Sequence, residues 1–152
     1  MKLLTADNVK LGFIGLGNMG SRIAQRLIDN GYRVFVYDRN IAKADAIAAR
    51  GGLVAKTILE LAGNADVILS CLSNDEAVES VFAGPAGVFA KARPGTIVLE
   101  MSTISPENSR ELHQLGANFV VVRRPLDRVR NRSEENVWPA CLHVFIGRFD
   151  IA

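Results

Sequence analysis

Cysteine is scarce: Cys71 and Cys141 are the only two in 152 residues. They form neither a metal-ligand spacing nor a disulfide framework. Cys71 follows an apolar run and reads as a small apolar filler. The histidines, His113 and His143, have no ligand-like spacing either and read as structural or solvated, so no metal site is expected. No apolar run approaches the ~20 residues that span a bilayer. The start, Met1 to Asn8, lacks an apolar signal core, which leads to the expectation of a cytoplasmic protein without membrane contact. A strong charge is also missing. Residues 1–122 hold 12 basic and 12 acidic side chains, and residues 123–152 hold 6 and 4, the whole net charge of +2. Five arginines in Arg123–Arg132 could suggest a nucleic-acid patch, but no aromatic platform interleaves with them. Nucleic acid is therefore not an expected partner.

What is present is apolar residue in quantity, 49% of the chain, enough for one core. The chain is organised around residues 9–20, where the apolar run Val9 to Ile14 ends in Gly15, Gly17 and Gly20. That spacing is G-x-G-x-x-G, and the helical pattern Ile23, Ala24, Leu27, Ile28 follows it. Strand, glycine turn and helix in this order are the signature of a dinucleotide site. Gly15 permits the tight turn, Gly17 lets the backbone approach a pyrophosphate, and Gly20 lets the helix lie close to the strand. The helix dipole and its free N–H groups then face the phosphates. A second strand, Arg33 to Tyr37, ends at Asp38. An acid roughly 20 residues past the glycines is where a ribose diol is bound.

Beyond Asp38, helical patterns alternate with apolar runs. Ile41 to Ala48 is a helix closed by Gly51-Gly52, Leu53 to Ala55 a short strand, and Thr57 caps a helix ending near Gly63. Asp66 to Leu72 is a strand buried on both faces. Helices carrying Val78, Val81 and Phe82, then Val88 to Ala90, lead to the strand Thr96 to Met101. Ser105-Pro106 starts a helix reaching Leu115, and Asn118 to Val122 is the last strand. The alternation predicts an α/β fold of Rossmann type, a doubly wound parallel sheet in the order 3-2-1-4-5-6. The ligand then lies beyond strands one and four, beside Cys71 to Asn74 and Ser102-Thr103.

Several segments together resemble the β-hydroxyacid dehydrogenases, the family of 3-hydroxyisobutyrate dehydrogenase, tartronate semialdehyde reductase and 6-phosphogluconate dehydrogenase. They are residues 12–20, Tyr37-Asp38-Arg39-Asn40, Gly84-Pro85-Ala86-Gly87-Val88, Arg93-Pro94-Gly95-Thr96 and the run Met101 to Pro106. The resemblance covers residues 9–122 and implies an NAD(P)-binding domain, 1–122. It implies that Gly15, Leu16, Gly17, Asn18, Met19 and Gly20 hold the pyrophosphate and that Asp38 and Arg39 meet the adenosine ribose. Leu72 and Ser73 would form the loop after strand four, Thr103 would contact the nicotinamide side, and Ser102 would bond the substrate carboxylate. The implied substrate is a small 3-hydroxy acid and the implied assembly a homodimer. Asp38 favours NAD by accepting from a free 2′-hydroxyl, whereas Arg39 could pair with a 2′-phosphate, so NAD is slightly favoured and NADP stays open.

After Val122 the sequence departs from the family, which continues with a substrate loop and a helical second domain bearing an essential lysine. Residues 123–152 are thus expected to be a separate tail, with that helical C-terminal domain absent. Lys56 and Lys91 lie in the wrong segments to replace the lysine, so no catalytic residue is assigned and little turnover is expected of this chain. Arg123 to Val129 can be encoded so that a one-base shift reads Asp-Ala-Pro-Leu-Thr-Gly-Ser, close to the missing loop, which suggests a frameshift. The competing expectations are a non-catalytic dinucleotide-binding module, a fragment of an imine-reductase-type oxidoreductase, and a tail in which Val144 to Ile146 adds an edge strand beside Trp138.

Overall fold

The computed structural model describes residues 5–123. The tail beyond Arg123, with its proposed frameshift, Arg124 to Arg132, Trp138, Cys141, His143 and Val144 to Ile146, lies outside the described residues.

Among the described residues, six strands form one parallel sheet: β1 (Lys10–Ile14), β2 (Arg33–Tyr37), β3 (Leu53–Val54), β4 (Val67–Ser70), β5 (Ile97–Glu100) and β6 (Val120–Arg123). Their spatial order is β3-β2-β1-β4-β5-β6, as the alternation predicts. Six helices connect them: α1 (Asn18–Asp29), α2 (Ile41–Ala48), α3 (Ile58–Asn64), α4 (Asp75–Phe82), α5 (Val88–Lys91) and α6 (Pro106–Leu115).

Side chains alternate across each strand, so every central strand feeds two cores. On one face, Leu11 and Phe13 of β1, Val34 and Val36 of β2, and Leu69 of β4 pack with Ile23, Ala24 and Leu27 of α1 and Ile47 of α2. On the other, Ile14, Ile68 and Val98 pack with Leu61 of α3, Val78, Val81 and Phe82 of α4, Val88 of α5 and Leu112 of α6. Burial on both faces is why β4 and β5 read as unbroken apolar runs. Each fully buried Leu, Ile or Phe contributes about 1.5–3 kcal/mol.

Four helices begin with a side-chain cap. Asn40 accepts from Ala42 N, Thr57 from Glu60 N, Asn74 from Ala77 N and Ser105 from Asn108 N. Each such cap is worth about 1 kcal/mol. The longest helix, α1, differs: its N-cap is Gly17, with no side-chain cap and no acid in its first turn.

All strands run the same way, so their carboxyl ends share one rim of the sheet. Register places Ile14 opposite both Tyr37 and Ser70, and Ser70 opposite Glu100. The crevice therefore opens at Gly15, between the halves β1-β2-β3 and β4-β5-β6. At the opposite rim Asp66 locks the strand starts, accepting from Lys10 N at 2.8 Å and from Arg93 at 2.6 Å.

Candidate dinucleotide site

Gly15, Gly17 and Gly20 are small for three different reasons. Gly15 has φ +93°, the left-handed region, and a Cβ there would strike the Cys71 carbonyl. Gly20 is helical, and its Cβ would strike the Gly15 carbonyl. Gly17 is in ordinary extended backbone, φ −69° and ψ −168°. A Cβ on it would meet nothing within 4 Å. Neither conformation nor packing demands a glycine at 17. A glycine there keeps the approach to the start of α1 open.

A cleft of about 190 Å³ opens beside this turn, lined by Gly15, Gly17, Asp38, Arg39, Leu72 and Ser73 among the residues expected from the sequence. Thr103 is exposed at the β5 rim but is not part of the cleft lining. Asn18 and Met19 are exposed on the first turn of α1, Met19 at 49%.

Asp38 is tied to the main chain through both oxygens. Oδ2 accepts from Leu16 N at 2.7 Å and Oδ1 from Asn40 N at 2.8 Å. One carboxylate thus clamps the glycine turn to the start of α2. A carboxylate has about four acceptor positions, and two of those of Asp38 are taken in this way. Leu16, expected at the pyrophosphate, has a buried side chain, and its N–H donates to Asp38.

Ser102, expected at a substrate carboxylate, is 2% exposed, and its Oγ accepts from Leu72 N at 2.7 Å. Its own N–H donates to Glu100 Oε1 at 2.7 Å. The hydroxyl faces the neighbouring loop rather than solvent.

The sequence reading missed Lys43, which lines the cleft with Arg39. Arg39 precedes the N-cap Asn40 and Lys43 lies in the first turn of α2, so no helical spacing in the sequence pairs them. Among the described residues neither forms an ion pair. Lys56 and Lys91 do not line the cleft. His113 is exposed on α6, 3.0 Å from the Ser109 carbonyl, and no acid, histidine and cysteine cluster among the described residues could hold a metal ion.

Cys71 packs against the core as expected, and it also lines the cleft. Burial pushes its thiol up, and the nearby Glu100 carboxylate adds to the rise. A raised value leaves less thiolate at any given pH. In a Cys141→Ser background, iodoacetamide should therefore modify Cys71 more slowly at pH 8 than a free thiol of ordinary value ~8.5. The rate should climb with a midpoint above that value, and Glu100→Gln should bring the midpoint part of the way down. A midpoint at or below 8.5 in the parent would contradict this environment.

Residues 10–120 match the family described as the NAD binding domain of 6-phosphogluconate dehydrogenase. The chain belongs to that family. Similar proteins include a probable mitochondrial 3-hydroxyisobutyrate dehydrogenase of Dictyostelium discoideum, 38% identical over 108 residues, 71% of this chain and 34% of that protein. Cytokine-like nuclear factor N-PAC of Danio rerio is 36% identical over 112 residues, 74% of this chain and 24% of the relative. Among solved structures, Psf3 in complex with NADP+ and 2-OPP is 36% identical with a TM-score of 0.69, covering 74% of this chain and 40% of that one. The chain thus spans 24–40% of the length of these three proteins. No helix among the described residues is long and apolar enough to cross a membrane.

Proposed function

We propose that the domain holds a nicotinamide dinucleotide with its pyrophosphate over Gly17 and the uncapped start of α1. The observation that carries this reading is Gly17, which has open space where a Cβ would be and no conformational need to lack one. The N–H groups of Asn18, Met19 and Gly20 supply the donors, and the exposed Met19 side chain flanks them. The adenosine ribose lies against Asp38 and Arg39, and the nicotinamide end points toward Leu72, Ser73 and Thr103. In the whole protein the dinucleotide supplies or accepts hydride at the hydroxyl-bearing carbon of a small 3-hydroxy acid. This domain's residues bind and orient the cofactor, and none of them is assigned an acid or base role. Homodimerisation and a cytoplasmic location remain part of this proposal.

Two features of the cleft support NADP over the NAD preference read from Asp38. Both Asp38 oxygens already serve main-chain N–H groups. Arg39 and Lys43 bring two cations to the same cleft, a setting suited to a 2′-phosphate. The NADP+ bound in Psf3 supports the same choice. Fluorescence titration should show NADPH binding at least tenfold tighter than NADH. Lys43→Ala and Arg39→Ala should each erode that ratio while leaving NADH affinity nearly unchanged. Equal or tighter binding of NADH would restore the preference read from Asp38 alone. Failure of both nucleotides to bind would overturn the whole reading.

The likeness to N-PAC, whose name carries no dehydrogenase activity, favours a second reading in which the domain binds a dinucleotide without catalysis. The DNA reading frame beyond codon 122 separates the two. Continuation of the other frame into a second-domain sequence bearing a lysine supports the first reading, and its absence the second.

A further inference from the structure

The loops after β4 and β5 are bonded to each other along the carboxyl rim. Met101 N donates to the Ser70 carbonyl at 3.0 Å and Ser105 N to Asp75 Oδ1 at 3.0 Å. The shortest link is Leu72 N to Ser102 Oγ, 2.7 Å, between residues thirty apart in the chain. Glu100, fully buried, holds Ser102 from below through the Ser102 N–H. On the far side of this link Leu72 and Cys71 press on the glycine turn. A Cβ at Gly15 would stand 2.9 Å from Leu72 Cδ2 and against the Cys71 carbonyl. The chain of contacts therefore runs from Glu100 through Ser102 and Leu72 to Gly15, and Leu72 lines the cleft that Ser102 does not reach.

We infer that Ser102 is a positioning residue for the nicotinamide half of the cofactor. It acts through Leu72, by fixing the main chain of the Cys71–Ser73 loop at the height where that half passes. The inference rests on the dinucleotide reading above. It separates Ser102 from the adenine half, which meets β2 and α2 on the other side of the crevice. Removing the hydroxyl frees Leu72 N–H and lets the loop drift, while the clamp made by Asp38 is untouched. A purely structural serine would weaken both halves alike or neither.

The experiment compares Ser102→Ala with the parent, using the whole chain and two kinds of probe. NADPH and NADH carry both halves, whereas 2′-phospho-ADP-ribose and ADP-ribose lack the nicotinamide. The expected result is a loss of fivefold or more for the complete dinucleotides, with the shortened probes bound within twofold of the parent. Equal losses for both kinds, or none, would overturn the role of Ser102 while leaving the dinucleotide reading intact. Failure of every probe to bind the parent would overturn both. Should Ser102→Ala not fold, amide exchange in the parent decides. NADPH should slow exchange at Leu72 beyond the slowing given by 2′-phospho-ADP-ribose, and equal protection would overturn the inference.

Discussion

Gly17→Ala should leave the domain folded and weaken NAD(P)H binding by tenfold or more. The added methyl enters open space, and the extended backbone at 17 is accessible to alanine. The folded state thus loses little beyond the poorer N-cap quality of alanine, at most about 1 kcal/mol. The same methyl occupies the approach a pyrophosphate needs to reach the N–H groups of α1. A tenfold loss corresponds to about 1.4 kcal/mol, less than one displaced charge-assisted hydrogen bond. Isothermal titration beside thermal denaturation reads both quantities. Unchanged affinity in a folded Gly17→Ala protein would remove the main support for the proposed function.

Gly20→Ala should do the reverse and damage the fold itself. Helix propensity alone argues for stabilisation, since alanine is better than glycine in a helix by about 0.8–1 kcal/mol. The local geometry opposes it. The methyl would overlap the Gly15 carbonyl, a main-chain atom inside a turn that is already left-handed and braced by Cys71. Neither partner can rotate away, so α1 must lift from β1 and open the packing of Ile23, Ala24 and Leu27. Overpacking of this kind costs about 1–3 kcal/mol and occasionally more, which exceeds the propensity gain. We expect a net loss of about 2 kcal/mol, seen as a fall in Tm of roughly 4–8 °C for a chain of this size. A Tm equal to or above the parent's would show that the helix accommodates the methyl and that the close approach is not obligatory. The contrast is the useful measurement, because two glycines three residues apart should fail in opposite assays.

The strand order was readable because each apolar run is separated from the next by a helix-length pattern, and a parallel sheet built from such units has few arrangements open to it. The glycine turn and Asp38 were readable because their spacing is local. Less was readable where chain segments meet from a distance. The apolar run from Asp66 to Leu72 gives no sign that β4 stops at Ser70, because Cys71 and Leu72 remain apolar while bending over the glycine turn. Ser102 was expected at a substrate carboxylate, and only the meeting of two loops shows its hydroxyl turned inward onto Leu72. The sequence placed Asp38 at the ribose without revealing that both its oxygens brace the backbone. Lys43 was overlooked for a different reason. Arg39 lies before the N-cap of α2 and Lys43 within its first turn, so only the folded chain brings them to one cleft.

The bare start of α1 has a bearing on the life of the protein as well as on its chemistry. The other capped helices close their first turns with side chains of their own, whereas this one leaves polar capacity turned outward at the mouth of the crevice. A partner that fills it adds to the stability of the folded form in proportion to its free concentration over its dissociation constant. Resistance to unfolding and proteolysis is then tied to how much nucleotide surrounds the protein, so that its abundance can follow the nucleotide pool without any dedicated regulator.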